Sequence, residues 1–277
     1  MSMNASRSSP PETKPPASTA PNDPSANYAY DGTFYRYIQD GAVRSARVIA
    51  PLVVDRLGTS SLLDVGCGAG AWLSEYRKLG VQPCLGVDGD YVKAADLLVP
   101  QETFIARDIS LPFDLMERFA LVQCLEVGEH IETAASGTLV ANLVRHGDCI
   151  LFSAAIPGQG GENHINERPY EFWRALFAEH GYMPYDFLRP LLRRAKEVEI
   201  WYRHNVMLYV AASRHGTLPV EVSQSRVPDN EPIANVCSPL YRMRTAILAG
   251  LPVSWLSHLA ILKHRSILLS RMVRGQR

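Results

Sequence analysis

Short apolar runs alternate with longer periodic segments along the middle of the chain. Residues 61–65 (SLLDV) read as a first strand entering a glycine-rich turn, and residues 71–79 as the helix after it. Residues 84–88 (CLGVD) read as a second strand, residues 91–98 as a short helix and residues 103–107 as a third strand. A fourth strand over 119–125, a helix over 132–144 and a fifth strand over 149–155 follow. Residues 169–180 (PYEFWRALFAEH) predict a helix that stops at Gly181, and residues 206–212 (VMLYVAA) a last strand. A helix over 34–55 precedes the first strand. Strands alternating with helices predict a parallel sheet flanked by helices, an α/β fold. No internal repeat is visible.

The two ends follow other rules. Residues 1–27 hold six prolines among Ser, Thr and Ala, with almost nothing to bury, so a disordered tail is expected. The tail has no apolar run of the kind a secretory signal needs. Between Thr245 and Leu262 the chain carries no Asp, Glu, Lys or Arg, whereas Arg242, Arg244, Lys263, Arg265, Arg271 and Arg274 flank it. This stretch falls just short of the ~20 residues that cross a bilayer, and Gly250, Pro252 and His258 interrupt it. Three readings stay open: a helix packed on the domain or on a second subunit, a helix lying on a membrane surface, and a true span. The expected organisation is a tail (1–27), an N-terminal lid or packing helix (28–60), a central α/β domain (61–215) and an apolar, basic, helical C-terminal extension (216–277).

Composition narrows the function classes. The 277 residues are 47% apolar and 20% charged, which excludes wholesale disorder and a fibrous protein. Lys plus Arg and Asp plus Glu are each 28, and the zero net charge weighs against a nucleic-acid partner, so none is expected. The five cysteines are odd in number, widely spaced and without a CxxC, so neither a disulfide framework nor a zinc ribbon is indicated. Reduced thiols point to the cytoplasm, with a membrane-peripheral location left open by the C-terminal stretch.

The chemistry starts at Asp64-Val65-Gly66-Cys67-Gly68-Ala69-Gly70. Glycines allow a tight strand-to-helix turn and close approach of a ligand to the backbone. Alone the turn is ambiguous, because Gly66, Gly68 and Ala71 also fit the dinucleotide fingerprint, with Asp88 at the place of a ribose-binding acid. Two features favour another ligand. Asp64 lies two residues before the first glycine, where a carboxylate sits awkwardly against a pyrophosphate and well against an ammonium group. Asp108 closes the third strand, so three successive strand ends each deliver an acid. Strand ends form the ligand crevice of an open α/β sheet, and acids there match an amino-acid head, a ribose diol and an adenine amine.

These segments resemble the motifs of class I S-adenosylmethionine-dependent methyltransferases. LLDVGCGAGAWL is similar to their first motif, LGVDGD to the ribose-binding segment, ARDI to the adenine-binding segment, and QCLEVGEHIE to the segment after the fourth strand in the subgroup that includes ubiquinone-type O-methyltransferases. The resemblance spans about two thirds of the chain. It implies a Rossmann-like doubly wound sheet of seven strands with the last antiparallel, and S-adenosylmethionine as cofactor. It places Gly66, Gly68 and Gly70 under the methionine part, Asp64 at the amino group, Asp88 on the ribose hydroxyls, Asp108 on the adenine amine with Ile109 beside the ring, and Leu125 and Glu126 near the sulfonium. For Asp88 and Asp108, simple helix capping is the competing job.

Acceptor chemistry gathers in two places. Glu126-Val127-Gly128-Glu129-His130 ends the fourth strand, and Ile156-Pro157-Gly158-Gln159-Gly160-Gly161-Glu162-Asn163-His164-Ile165-Asn166-Glu167 follows the fifth. A glycine-rich loop on the crevice side, dense in polar groups, reads as a substrate loop. It continues into RPYEFW, and with the later WYRHN it resembles a subfamily of small methyltransferases often found with saccharide or natural-product pathways. An acceptor that loses a proton wants a nearby base. His164 is the first candidate, His130 the second, and Glu126 a further catalytic candidate. Gln159, Asn166, Glu167 and Arg203 are substrate candidates; Asn166 also reads as a helix cap and Arg203 as a brace for Glu167. Five aromatics between Tyr28 and Tyr37 suit a lid over the crevice, with Tyr35 at the cofactor, or a packing helix. No metal site is indicated, because the spacing of His and acids matches no standard pattern.

The expected function is methyl transfer to a small-molecule or glycan acceptor, with a hydroxyl oxygen favoured. CLEVGEH stands where amino methyltransferases acting on adenine or glutamine carry an Asn/Asp-Pro-Pro-aromatic segment. A non-catalytic cofactor-binding scaffold and an NAD-dependent oxidoreductase are the alternatives. For the C-terminal extension, homodimerisation and peripheral membrane contact stay open.

Overall fold

The computed structural model describes residues 32–250, with side chains from residue 39. The proline-rich tail, Tyr28 and Tyr30, the side chains of Tyr35 and Tyr37, and the apolar stretch beyond Gly250 lie outside the described residues. Helix α1 (Gly32–Leu57) leads into β1 (Leu62–Val65), α2 (Ala71–Lys78), β2 (Cys84–Asp88), β3 (Phe104–Ala106) and β4 (Leu121–Leu125). Then come α3 (Ser136–His146), β5 (Cys149–Ser153), α4 (Tyr170–Glu179), β6 (Tyr182–Tyr185), α5 (Leu188–Leu192), α6 (Ile200–Asn205) and β7 (Met207–Ala211). Helices α7 (Val220–Ser223) and α8 (Pro239–Leu248) follow.

The seven strands form one sheet in the order β3-β2-β1-β4-β5-β7-β6. Strands β1 to β5 pair in parallel, and β7 runs antiparallel to both β5 and β6. Strands β1, β4 and β5 are buried at every position, as expected where helices cover both faces. Alternation then divides the apolar side chains between two cores. Leu62, Leu121, Leu151 and Leu208 face one, with Ala46, Ile49, Ala50 and Val53 of α1 and Leu73 and Tyr76 of α2. Leu63, Val122, Ile150 and Tyr209 face the other, with Leu139 and Leu143 of α3 and Trp173 and Phe177 of α4. The buried positions of α1 recur at i, i+3, i+4 and i+7, which is the stripe a helix needs to lie on a sheet.

Three elements differ from the sequence pattern. The apolar pattern did not mark strand β6, which completes the seven strands that the resemblance implies. It is four residues long, holds Pro184, and lies at the sheet edge, where a residue without an N–H is tolerated. Residues 91–98 form only a single 3-10 turn, Ala94–Asp96, with no buried residue in it. The helix expected from residue 132 begins with a 3-10 turn, Thr133–Ala135, and becomes α-helical only at Ser136.

Helix α8 opens on Ser238, whose hydroxyl accepts the Tyr241 N–H, with Pro239 in the first turn, both strong start signals. It packs on the loop after β5. Thr245 is buried, and the Arg244 Nη1 donates to the Gln159 carbonyl at 3.2 Å. A methyl group on Gly158 would lie 1.9 Å from the Thr245 carbonyl oxygen, so only glycine allows this approach. The opposite face of α8 exposes Leu240, Met243 and Ile247. Among the described residues no helix is long and apolar enough to cross a membrane.

Candidate active site

The strand order reverses between β1 and β4, so their carboxyl ends open the crevice that open α/β sheets use for ligands. The turn after β1 is fixed from β2: the N–H groups of Gly66 and Cys67 donate to the Val87 carbonyl at 2.7 and 3.3 Å. Gly66 has φ +80, and a methyl group on it would lie 2.3 Å from Val127 Cγ2. The turn is thus a close fit between backbone and the β4 end. Gly68 (φ +53) and Gly70 (φ +81) continue it into α2.

Asp64 lies on the same face of β1 as Leu62, opposite Gln123 of β4. The Gln123 Nε2 donates to Asp64 Oδ1 at 3.2 Å, and Oδ2 is buried without a partner. Burial pushes the Asp64 carboxyl up to about 7, against the opposing effect of the Gln123 bond and with a smaller push from Asp88. A buried oxygen without a donor is rare in proteins and marks a place for a ligand proton or cation.

Asp88 closes β2 and is 4% exposed. Its Oδ2 accepts the Gly68 N–H at 2.6 Å, and its Oδ1 accepts the Gly89 N–H at 2.7 Å and the Tyr91 hydroxyl. Asp108 lies past β3 in the open, accepting the Ser110 N–H (2.9 Å) and hydroxyl (2.6 Å). Ile109 beside it is half-buried, and its carbonyl accepts from Asn142 Nδ2 at 3.3 Å. Leu125 is the last residue of β4 and buried. Tyr35 belongs to the first turns of α1, its side chain outside the described positions.

The acceptor candidates collect at the ends of β4 and β5. Glu126 holds φ +55, a conformation that costs a non-glycine residue about 1 kcal/mol or more and that clusters at functional sites. Its N–H donates to the Ser153 carbonyl at 2.9 Å. Its carboxylate accepts Gln159 Nε2 at 2.9 Å and Asn205 Nδ2 at 3.2 Å, and Asn205 Nδ2 also reaches Gln159 Oε1 at 2.9 Å. This closed ring of three polar side chains joins β4, the loop after β5 and α6. Asn205 closes the WYRHN motif quoted above but was not among the candidate site residues. Gln123 was also missed; a glutamine inside an apolar strand is the signal available for it.

Glu167 holds the loop: Oε2 accepts the Gly158 N–H and Oε1 the Gly160 N–H, each at 2.7 Å. His164 Nδ1 lies 2.9 Å from Glu167 Oε1. The His130 ring stands edge to face with His164, centroids 4.9 Å apart. His130 keeps part of its surface in solvent, yet the burial of its ring and the neighbouring His164 hold its pKa below the usual histidine range. Asn166 is 1% exposed; it donates to the Gly128 carbonyl and the Ser136 hydroxyl, and accepts from Thr133 and Arg168, so its polar atoms all have protein partners. Arg203 forms no ion pair with Glu167; its Nε is buried without a hydrogen bond.

Residues 36–185, more than half of the chain, match the profile of a family described as a methyltransferase domain. No curated protein matches the sequence. In fold the chain is similar to the sugar N-methyltransferase KedS8 of Streptoalloteichus sp ATCC 53650, at 19% identity and TM-score 0.53, over 72% of this chain and 99% of that one. It is also similar to the amino pentose methyltransferase CalS10 of Micromonospora echinaspora (17%, TM-score 0.46, 67% and 99%). The magnesium protoporphyrin IX methyltransferase of Synechocystis PCC 6803 gives 17%, TM-score 0.48, and 67% and 87%. The first likeness shows the fold alone.

Proposed function

The chain belongs to the class I S-adenosylmethionine-dependent methyltransferases, and from that membership we propose that it methylates a hydroxyl oxygen of a small-molecule or saccharide acceptor. The cofactor supplies an electrophilic methyl group on a sulfonium. The residues at the strand ends fit such a ligand. The observation that carries the fit is Asp64: its buried, unpartnered oxygen lies beside the glycine turn and calls for a donor such as an ammonium group. In this reading Gly66, Gly68 and Gly70 carry the methionine part, Asp88 takes the ribose hydroxyls and Asp108 the adenine amine. Ile109 and Leu125 flank the ring and the sulfonium.

At the acceptor end, His164 is the proton acceptor. Glu167 on Nδ1 fixes the ring with Nε2 as the basic nitrogen and steadies the imidazolium that forms. Glu126, Gln159 and Asn205 orient the hydroxyl, His130 backs His164, and Arg203 offers an unpartnered N–H to an acidic substituent. Asn166 and Glu167 shape the loop that receives the acceptor. The division into tail, lid helix, catalytic domain and extension at residues 27, 60 and 215 is part of this reading. So is a cytoplasmic location, which the five free, buried cysteines support.

Parallel calorimetric titration with S-adenosylmethionine, S-adenosylhomocysteine and NAD tests it. Binding of both sulfur ligands and none of NAD is expected, together with methylated product from a panel of hydroxylated and amino sugars. NAD binding alone would discard the site assignments. Product methylated only on amino sugars would move the acceptor atom from oxygen to nitrogen.

A further inference from the structure

Beside the crevice, three metal-type donors meet in a way that hydrogen bonding leaves unexplained. Glu129 is 0% exposed, and neither of its carboxylate oxygens makes a well-formed hydrogen bond, its polar neighbours being the Glu126 carboxyl and the backbone of Glu129 and Ala155. An isolated buried carboxylate is expensive, by several kcal/mol, unless a cation or proton accompanies it. Glu129, His130 and His164 each offer one donor atom, and these atoms all lie within 4.8 Å of one another.

The two rings are prepared as ligands. His130 Nδ1 lies 3.3 Å from the Asn163 carbonyl, and His164 Nδ1 lies 2.9 Å from Glu167 Oε1. Both contacts place the ring proton on Nδ1 and leave Nε2 with its lone pair. Metal-bound histidines are held in this way, the second nitrogen donating to a carboxylate or a carbonyl. Gly161 lets the backbone pack against the His164 ring, since a methyl group there would lie 2.1 Å from Nε2 and 2.3 Å from Cε1. Glu167 is in turn fixed by two backbone N–H groups.

We propose that Glu129, His130 and His164 form a site for one divalent first-row transition cation at the acceptor end of the crevice. Two imidazoles and one carboxylate suit zinc, manganese or iron better than magnesium or calcium, which favour all-oxygen shells. Three protein ligands leave positions open for an acceptor hydroxyl. This rests on the methyltransferase reading and refines one part of it: His164 acts on the hydroxyl through the cation. A hydroxyl bound there ionises closer to neutral pH and releases its proton to water. Sequence spacing alone hid the site, because His164 comes 34 residues after His130 and joins it only through the loop after β5.

The test uses the untagged full-length chain stripped with chelator. Zn2+ and Mn2+ are titrated separately by calorimetry, Co2+ is added as an optical probe, and S-adenosylhomocysteine is titrated alongside. The expected result is one equivalent of metal per chain and visible ligand-field bands with Co2+. Glu129→Gln keeps the shape and removes the charge. It should weaken metal binding by about 10-fold or more and leave S-adenosylhomocysteine affinity unchanged. Absence of metal binding, or equal binding by Glu129→Gln and His164→Ala, with normal S-adenosylhomocysteine affinity, overturns the cation site alone. Failure of the untreated protein to bind S-adenosylhomocysteine overturns the reading beneath it.

Discussion

At the ends of β1 and β2 the turn and Asp88 are held by partners close to them in the sequence, and Asp64, which meets Gln123 over 59 residues, is the exception. Asp88 bonds Gly68, Gly89 and Tyr91, none more than 20 residues away. At the ends of β4 and β5 the partners come from across the chain. Glu126 meets Gln159 over 33 residues and Asn205 over 79, and Arg244 reaches Gln159 over 85. The first region is a local turn with acids attached. The second exists only when β4, the loop after β5, α6 and α8 have all docked. Cofactor chemistry can therefore be common to many acceptors, while acceptor choice rests on contacts that a few distant substitutions would rearrange.

His164→Ala probes the second region alone, and the largest effect is expected there. Removing the group that deals with the acceptor proton should lower kcat by about 10²- to 10⁴-fold. Cofactor affinity should stay within a factor of about 2, since no cofactor-side group touches the ring. Steady-state kinetics beside calorimetry reads both. Surviving turnover would shift the role to His130 and weaken the division between the regions. Asp88→Ala probes the first region. It removes the charged acceptor meant for two ribose hydroxyls and frees the Gly68 N–H, so cofactor affinity should fall by about 100-fold or more. Unchanged affinity in a titration would sink the cofactor assignment.

The same contrast explains what could be read in advance. Strands β1, β2, β4, β5 and β7 announce themselves as apolar runs, and the turn from Gly66 to Gly70 by its composition, because burial and backbone conformation act over a few residues. Asp64, Asp88 and Asp108 follow from strand ends alone. Strand β6 was hidden by Pro184 at a sheet edge, where tertiary pairing overrides local preference. The role of Asn205 was hidden, although WYRHN holds it, because that role lies in reaching Glu126 and Gln159, which no period encodes. Asn166 stood out by its place in a polar loop, and the fold spends its amide inside the protein.

Asp64 offers a finer test of the first region. Burial raises its folded-state pKa to about 7, above the unfolded value near 4. The folded protein therefore keeps a proton that the unfolded chain has released, and the ligand-free form should lose stability as pH rises from about 4 to about 7. An ammonium-bearing ligand favours the ionised carboxylate. Below pH about 7 its binding should release a proton and weaken by up to about tenfold per pH unit. Calorimetry in buffers of different ionisation enthalpy reads the proton directly. A flat profile between pH 5 and 7 would mean that Asp64 meets no cation and serves only the turn.

The smallest effect concerns Tyr91, whose ring is mostly exposed while its hydroxyl donates to Asp88 Oδ1. Two ribose hydroxyls would need acceptor positions on this carboxylate, and Oδ1 already accepts from Gly89. Ligand and tyrosine thus compete for one acceptor. Tyr91→Phe removes the competitor and keeps the ring, so cofactor affinity should tighten by about 2- to 5-fold, the worth of one net hydrogen bond near 0.5–1 kcal/mol. Weakening by a similar factor would instead put the hydroxyl among the cofactor's own contacts. The first region would then depend on an arm that moves onto the ligand, and its independence from long-range closure would hold for the turn but not for the ribose site.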